Sequence, residues 1–207
     1  MLAHVRANLW LLALTVLLCS VIYPLALWGV GQAAFPEHAN GSLIHDANGH
    51  AIASRLIAHE VKGAQYFQPR PSAASYNGTA SGASNYGANN PRLRERVARS
   101  VEQWRDANPA VRLHDVPADL VTTSGSGLDP HITLDGALYQ LPGVAAKWAD
   151  LTGADPARLR DEIKTLVEAH ARPPMWGLAG VPLVNVVDIN LELHARYSGE
   201  VKASRAP

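Results

Sequence analysis

The chain has 207 residues, 47% hydrophobic and 17% charged, and its 18 basic side chains are balanced by 18 acidic ones. Zero net charge and so few charged residues argue against nucleic-acid binding, which needs a concentrated basic surface. The single cysteine, Cys19, excludes a disulfide framework, so a globular part must fold on its own core.

The first element in chain order is an apolar run over residues 9–30. No side chain charged at neutral pH interrupts the chain between Arg6 and Glu37. A helix over this run, rising about 1.5 Å per residue, covers roughly 33 Å, enough to cross a bilayer core. Trp10 and Trp28 lie about 27 Å apart along it, where indoles favour the two headgroup layers. Pro24 needs a neighbouring helix or a hydroxyl to satisfy the carbonyl it frees. Ala13, Leu17, Ser20 and Pro24 share one side, a surface for a partner helix.

Arg6 precedes the run, and the next Lys or Arg is Arg55. The positive-inside bias therefore puts the N-terminus in the cytoplasm and the rest outside. The competing reading is a cleaved signal peptide with Gly31-Gln-Ala33 as the cleavage site. Its apolar core would be unusually long, which favours a retained anchor. The expected organisation is a membrane anchor over residues 1–33 and one exported, soluble α+β domain over residues 34–207.

Residues 42–57 read as two short strands about Asn48-Gly49, a dipeptide that accepts positive φ in a hairpin turn. Residues 63–90 are rich in Gly, Ser, Ala and Asn, with Arg70 as their only charge. They are expected to form a long surface loop, ordered by Tyr66, Phe67, Tyr76 and Tyr86. Asn90-Pro91 starts a helix, with Leu93, Val97, Val101 and Trp104 as its apolar stripe and Asn108-Pro109 as its stop. Its arginines read as a solvated face. Residues 120–131 read as a buried edge followed by a glycine loop.

Residues 137–148 are helix-prone, with Pro142 dividing them into two pieces. Asp155-Pro156 opens another helix with Leu159, Ile163, Leu166 and Val167 inside, ended by Pro173-Pro174. Over residues 184–193, Val187, Ile189, Leu191 and Leu193 alternate with polar residues, which predicts a half-buried strand. The tail after Tyr197 is expected to fray. The fold class is mixed α/β: one transmembrane helix, then a single α+β domain.

The sharpest motif is Val121-Thr-Thr-Ser-Gly-Ser-Gly-Leu-Asp-Pro-His131. Its glycines let backbone amides converge on an anion, and Asp129-Pro130 can start a helix with a positive N-terminus. It lacks the Gly-Lys-Ser/Thr ending of a phosphate-binding P-loop and the spacing of a nucleophile elbow. A Ser126–His131–Asp129 triad would be cramped by adjacency. The plain alternative is a tight structural turn that caps a helix. His59-Glu60 lacks the second histidine of a zinc-protease helix, and His45, His50 and His59 have no metal-ligand spacing, so no metal and no catalytic residue is assigned.

Several stretches together resemble the C-subunit family of the bacterial potassium-transporting Kdp P-type ATPases. They are Gly41-Ser-Leu-Ile44, Tyr66-Phe67, Arg70-Pro-Ser-Ala73, Ser81-Gly-Ala-Ser-Asn85, residues 121–131, Val184-Asn-Val186 and Asn190-Leu191, in family order over nearly the whole chain. The resemblance implies an accessory subunit in the cell inner membrane, within a four-part complex. Its partners would be a P-type subunit that hydrolyses ATP, a channel-like potassium-binding subunit, a small accessory membrane subunit and membrane lipid. The chain lacks the aspartyl-phosphate motif of such pumps, so it is expected to be non-catalytic. ATP and potassium would be handled by the complex, with no cofactor held by this chain.

The family is described as a catalytic chaperone that raises the ATP affinity of the hydrolysing subunit. Ser81-Gly-Ala-Ser-Asn85 resembles the signature loop of ABC transporters, with Ala83 where the family has glycine. Further departures are Ala58-His59 for Gly-Gln, Tyr86 for leucine, and Val181 and Leu183 for Glu and Arg. The resemblance assigns nucleotide or partner contact to Ser81, Gly82, Ser84, Asn85, Ser124, Gly125, Ser126, Gly127, Asp129 and His131. Tyr66, Arg70, Tyr76 and Tyr86 are further candidates for partner contact. An exported domain meets no ATP, so the alternative is an external cap over the potassium entrance of the channel-like subunit. An exported serine hydrolase using Ser126, or a tethered binding protein, are the readings from other classes.

Overall fold

The computed structural model describes residues 1–46, 48–107 and 116–204. Its contacts divide the chain into two units, Met1–Ile52 and Ala53–Pro207. In the first, Leu2–Ala34 is a helical stretch of 33 residues, long and apolar enough to cross a membrane. It comprises α1 (Leu2–Val16), a π turn (Leu17–Ile22) and α2 (Tyr23–Ala34). The π turn answers Pro24, which has no N–H to donate. Just ahead of it the ladder changes register, with the Tyr23 N–H reaching back five residues to Leu18 O.

A short helix α3 (Pro36–Ala39) follows, then strands β1 (Leu43–His45) and β2 (Ala51–Ser54), which pair as a two-stranded sheet. The turn is the one expected: Gly49 has φ +82°. Asp46 holds it, its Oδ1 accepting from the N–H groups of Asn48 at 2.9 Å and His50 at 2.8 Å. These bonds to the ionised carboxyl set the Asp46 pKa below the ordinary value.

In the second unit, residues 63–90 contain no helix or strand, as expected of a long loop. Then come α4 (Pro91–Ala107), α5 (Ala118–Val121), β3 (His131–Thr133), α6 (Leu134–Thr152), α7 (Pro156–His170), β4 (Leu183–Asn185) and α8 (Val186–Ser204). Asn90 caps α4 as read, its Oδ1 accepting from Arg92 N at 3.0 Å. The stripe of Leu93, Val97, Val101 and Trp104 is only half-buried. The proposed stop at Asn108-Pro109 lies outside the described residues. Asp155 caps α7, accepting from Arg158 N at 2.8 Å, and Leu159, Ile163, Leu166 and Val167 are buried.

Three expectations are corrected. Pro142 does not divide its segment, because α6 runs unbroken through it. Tyr139 and Leu141 before the proline and Val144, Ala145 and Trp148 after it are all buried on one core. Burying that much apolar surface outweighs a proline cost of about 3 kcal/mol. The strand over residues 184–193 is real only at Leu183–Asn185; from Val186 the chain is helical to Ser204, so the described residues past Tyr197 continue that helix. The same residues carry a helical stripe, Val186, Ile189, Leu193 and Tyr197, all buried. Asn185 caps this helix through Oδ1, which accepts from Val187 N at 2.9 Å and Asp188 N at 3.3 Å. Finally, Asp129-Pro130 leads into the strand β3, not into a helix.

The strands β3 and β4 pair antiparallel, with Ile132 opposite Val184, and each runs straight into a long helix. Leu134 N donates to Pro182 O and Val186 N to Pro130 O, so the pairing continues into both helix starts. The core lies among α6, α7, α8 and this ribbon.

Phe67 and Gln68 of the long loop are held by two side-chain amides. Asn190 accepts from Phe67 N and donates to Phe67 O, both at 2.8 Å. Gln140 does the same for Gln68, at 2.7 and 3.0 Å. Asn190→Ala leaves a buried backbone N–H and C=O unpaired, and the expected cost is about 2 kcal/mol. Chemical unfolding of the detergent-solubilised chain measures it; an unchanged midpoint would mean that water replaces the amide.

Candidate functional site

Two serine–glycine segments far apart in sequence are joined in the structure. Gly82 N donates to Ser126 O at 2.8 Å, and Ser81 Oγ reaches the same carbonyl at 3.2 Å. Ser84 Oγ and Thr123 Oγ1 are 3.3 Å apart. The Arg70 segment closes the other side: Ser124 N donates to Pro71 O at 3.2 Å, and Arg70 Nη2 to Thr123 O at 3.3 Å. Tyr76 OH donates to Arg70 O at 2.9 Å.

Ser72, which the sequence reading did not single out, is the hub. Its hydroxyl donates to Gly127 O at 2.6 Å and accepts from Ala74 N and Tyr76 N. Its only sequence signal was its place within Arg70-Pro-Ser-Ala73. Gly127 sits at φ +71°, and a Cβ there would fall 2.7 Å from Gly82 O. The second glycine is thus required by loop-on-loop packing.

The structure brings together Arg70, Tyr76, Ser81, Gly82, Ser84, Ser124, Ser126 and Gly127, with Asp129 and His131 following. Tyr66 and Tyr86 lie elsewhere. Tyr66 packs edge-on against Trp148, with its hydroxyl 2.7 Å from His194 Nδ1, and burial raises its pKa. Tyr86 lies under Arg96, whose guanidinium carbon is 5.5 Å from the ring centroid. Asn85 is exposed, at φ +52°.

Asp129 turns its carboxylate inward on its own loop. Oδ1 accepts from His131 N at 3.0 Å and faces His131 Nδ1 at 3.1 Å, while Oδ2 is 3.5 Å from Arg70 Nη1. The bond from the His131 ring holds its pKa below the ordinary value, against the opposing effect of burial. A depressed folded-state pKa adds stability that is present in full above the unfolded value of 3.8 and lost as pH falls through the folded one. Asp129→Asn should therefore flatten the acid limb of the stability–pH curve below about pH 4. Thermal melts across pH 3–7 test this, and an unchanged acid limb would rule it out. Tyr76 shifts the other way, raised first by burial and then by the charge of Glu60.

This geometry narrows the chemistry. Ser126 Oγ accepts from Leu128 N at 3.1 Å, while the His131 ring is engaged by Asp129. Among the described residues no hydrogen bond joins Ser126 to His131. The helix N-terminus expected at Asp129-Pro130 is absent, and a carboxylate stands there instead. The carbonyls of Thr123, Ser126 and Gly127 are occupied within the chain. What stays open is the exposed tip at Gly125 and Ser126, whose backbone N–H groups have no partner among the described residues. A hollow of about 440 Å³ beside it is lined by Ile57, Leu128, Pro130 and His131 among others. A larger one of about 850 Å³ opens next to Arg70, lined by Asp119, Thr122, Asp135 and Tyr139 among others.

The KdpC family pattern, described as "K+-transporting ATPase, c chain", matches residues 5–195. A Rhodospirillum rubrum protein named potassium-transporting ATPase KdpC subunit is 45% identical over 199 residues, 95% of this chain and 98% of its own length. The protein of that name from Caulobacter vibrioides is 43% identical over 95% of both chains. The one from Bacillus cytotoxicus is 39% identical over 87% of this chain and 90% of its own. The matched region takes in both joined loops, the paired strands and α8 as far as residue 195, and on these grounds the chain belongs to the KdpC family.

Proposed function

We propose that this chain is a non-catalytic accessory subunit of an ATP-driven potassium importer, which it helps to assemble. Residues 1–33 anchor it in the inner membrane with the N-terminus cytoplasmic, and residues 34–207 lie outside. There the domain caps the potassium entrance of the channel-like subunit and presents its joined loops to that partner. The observation that carries this reading is the bond from Gly82 N to Ser126 O. The two serine–glycine segments spend Gly82 N, Ser81 Oγ and Ser126 O on each other, which leaves the Gly125 and Ser126 amides at an exposed tip.

The second reading is the catalytic chaperone, in which the same loops contact ATP on the hydrolysing subunit. The exposed amides of Gly125 and Ser126 favour it, being donors without a protein partner. Topology separates the two. In a Cys19→Ser background, a Ser126→Cys variant is labelled in intact cells with a membrane-impermeant maleimide. Labelling from outside supports the cap and removes the ATP contact. Labelling only after the membrane is opened does the reverse. A photo-crosslinker at Tyr86 should then capture the channel-like subunit, and failure to do so from any loop position would count against the cap.

A further inference from the structure

Beside the joined loops, which reach it through His131, the end of α7, β4 and the first turn of α8 line a cavity of about 450 Å³. Its walls include Arg55, His131, His170, Arg172, Asn185 and Asp188. Asp188 is the sole carboxylate among those lining residues, and it is already matched: Arg55 Nε donates to its Oδ1 at 3.0 Å. His170 is fixed in the wall, with Nδ1 2.9 Å from Leu166 O and Nε2 3.0 Å from Glu192 Oε2. His131 faces Asp129 through Nδ1, and its Nε2 has no hydrogen-bond partner among the described residues.

Arg172 is the cation left over. Its backbone is locked by a two-way bridge to Leu183, N to O at 2.8 Å and back at 3.0 Å. Its Nη1 closes the C-terminal end of α7, donating to Ala169 O at 2.9 Å. Capping uses that one nitrogen. The Nε–H and Nη2–H edge of the guanidinium has no partner among the described residues, and this edge is the fork that takes two oxygens of one oxyanion. No carboxylate among the described residues pairs with Arg172.

We propose that this cavity is a binding site for a phosphoryl oxyanion, taken side-on by the Arg172 fork with Arg55 adding positive potential. Two sources share that chemistry, dissolved phosphate and the headgroup of an anionic phospholipid. The lipid source is included because the chain directly beyond Pro173 and Pro174 exposes Met175 and Leu178, at 64% and 81% of their surface. Those side chains would meet the acyl side of a bound headgroup.

The test uses the full chain in nanodiscs and reads thermal stabilisation, which follows ligand occupancy. In one arm, inorganic phosphate is titrated against chloride of equal ionic strength in zwitterionic discs. In the other, discs containing phosphatidylglycerol are compared with zwitterionic ones. A rise in midpoint in the phosphate arm alone assigns the site to the free anion, and a rise in the lipid arm alone assigns it to the headgroup. Arg172→Gln should weaken the responding arm about tenfold or more, the loss expected for a charged, two-point contact. Arg172→Lys keeps the charge without the fork and should fall between; it also serves if the glutamine variant fails to fold. No rise in either arm, or equal rises in wild type and both variants, overturns the proposal.

Discussion

Phe67→Ala should destabilise the Ala53–Pro207 unit by about 3–5 kcal/mol, the usual cost of emptying a buried aromatic site. Phe67 is completely buried and belongs to the same core as Ile132, Ile163, Val184 and Ile189. Its surroundings are poorly able to collapse into the void. Its own backbone is clamped by Asn190 and that of the next residue, Gln68, by Gln140, each amide anchored on a helix. Domains of this size have a total stability of only about 5–15 kcal/mol, so the variant should unfold at markedly lower denaturant. The measurement is a denaturant melt of the detergent-solubilised chain followed by near-ultraviolet circular dichroism. A loss below about 1 kcal/mol would show that the long loop does not share the core. A large loss would make this loop a structural element in its own right, although it has no helix or strand.

Gly127→Ala should cost about 3 kcal/mol and separate the two serine–glycine segments, whereas Gly125→Ala, two residues away, should be close to neutral. At Gly127 the left-handed conformation alone costs an alanine about 1–2 kcal/mol. The added methyl would also lie 2.7 Å from Gly82 O and 2.9 Å from Ala74 Cβ. The backbone carrying Gly82 would have to retreat, which breaks its bond to Ser126 O and strains the Ser72 bond to Gly127 O. At Gly125 an added Cβ meets nothing within 4 Å. The pair of variants thus separates shape from composition within one motif. Under the cap reading, Gly127→Ala should also cut the yield of co-purified channel subunit, with Gly125→Ala near wild type. Equal behaviour of the two would mean that the second glycine is not held by loop packing.

Local features were legible because their causes are local. The uncharged run before Glu37, the Asn48-Gly49 turn, the Asn90 and Asp155 caps and the stripe of α7 each depend on residues within a few positions of one another. Family membership was legible for a different reason: motifs spread along the chain kept their order. The site was legible only as two separate strings. Nothing in the spacing of Ser81–Asn85 and Ser124–His131 says that Gly82 donates to Ser126, 44 positions away. Nor does it say that Ser72 is the residue joining both to the Arg70 segment.

The misreadings share one physical origin. Residues 184–193 satisfy an alternating pattern and a helical one at once, and Asp129-Pro130 resembles a helix start. In both places the local signal is ambiguous, and contacts from far along the chain choose. For α8 the choice falls to burial of Val186, Ile189, Leu193 and Tyr197 and to the Asn185 cap. At Asp129 it falls to the pairing of β3 with β4. The sequence by itself determined that an apolar helix precedes a cysteine-free α/β domain, and to which family the chain belongs. Only the tertiary structure decided where the strand ends, that Pro142 is absorbed, and that the serine–glycine loops close on each other. Periodicity and capping act over one or two turns, whereas burial and strand pairing are energies of surfaces that meet only once the chain has folded.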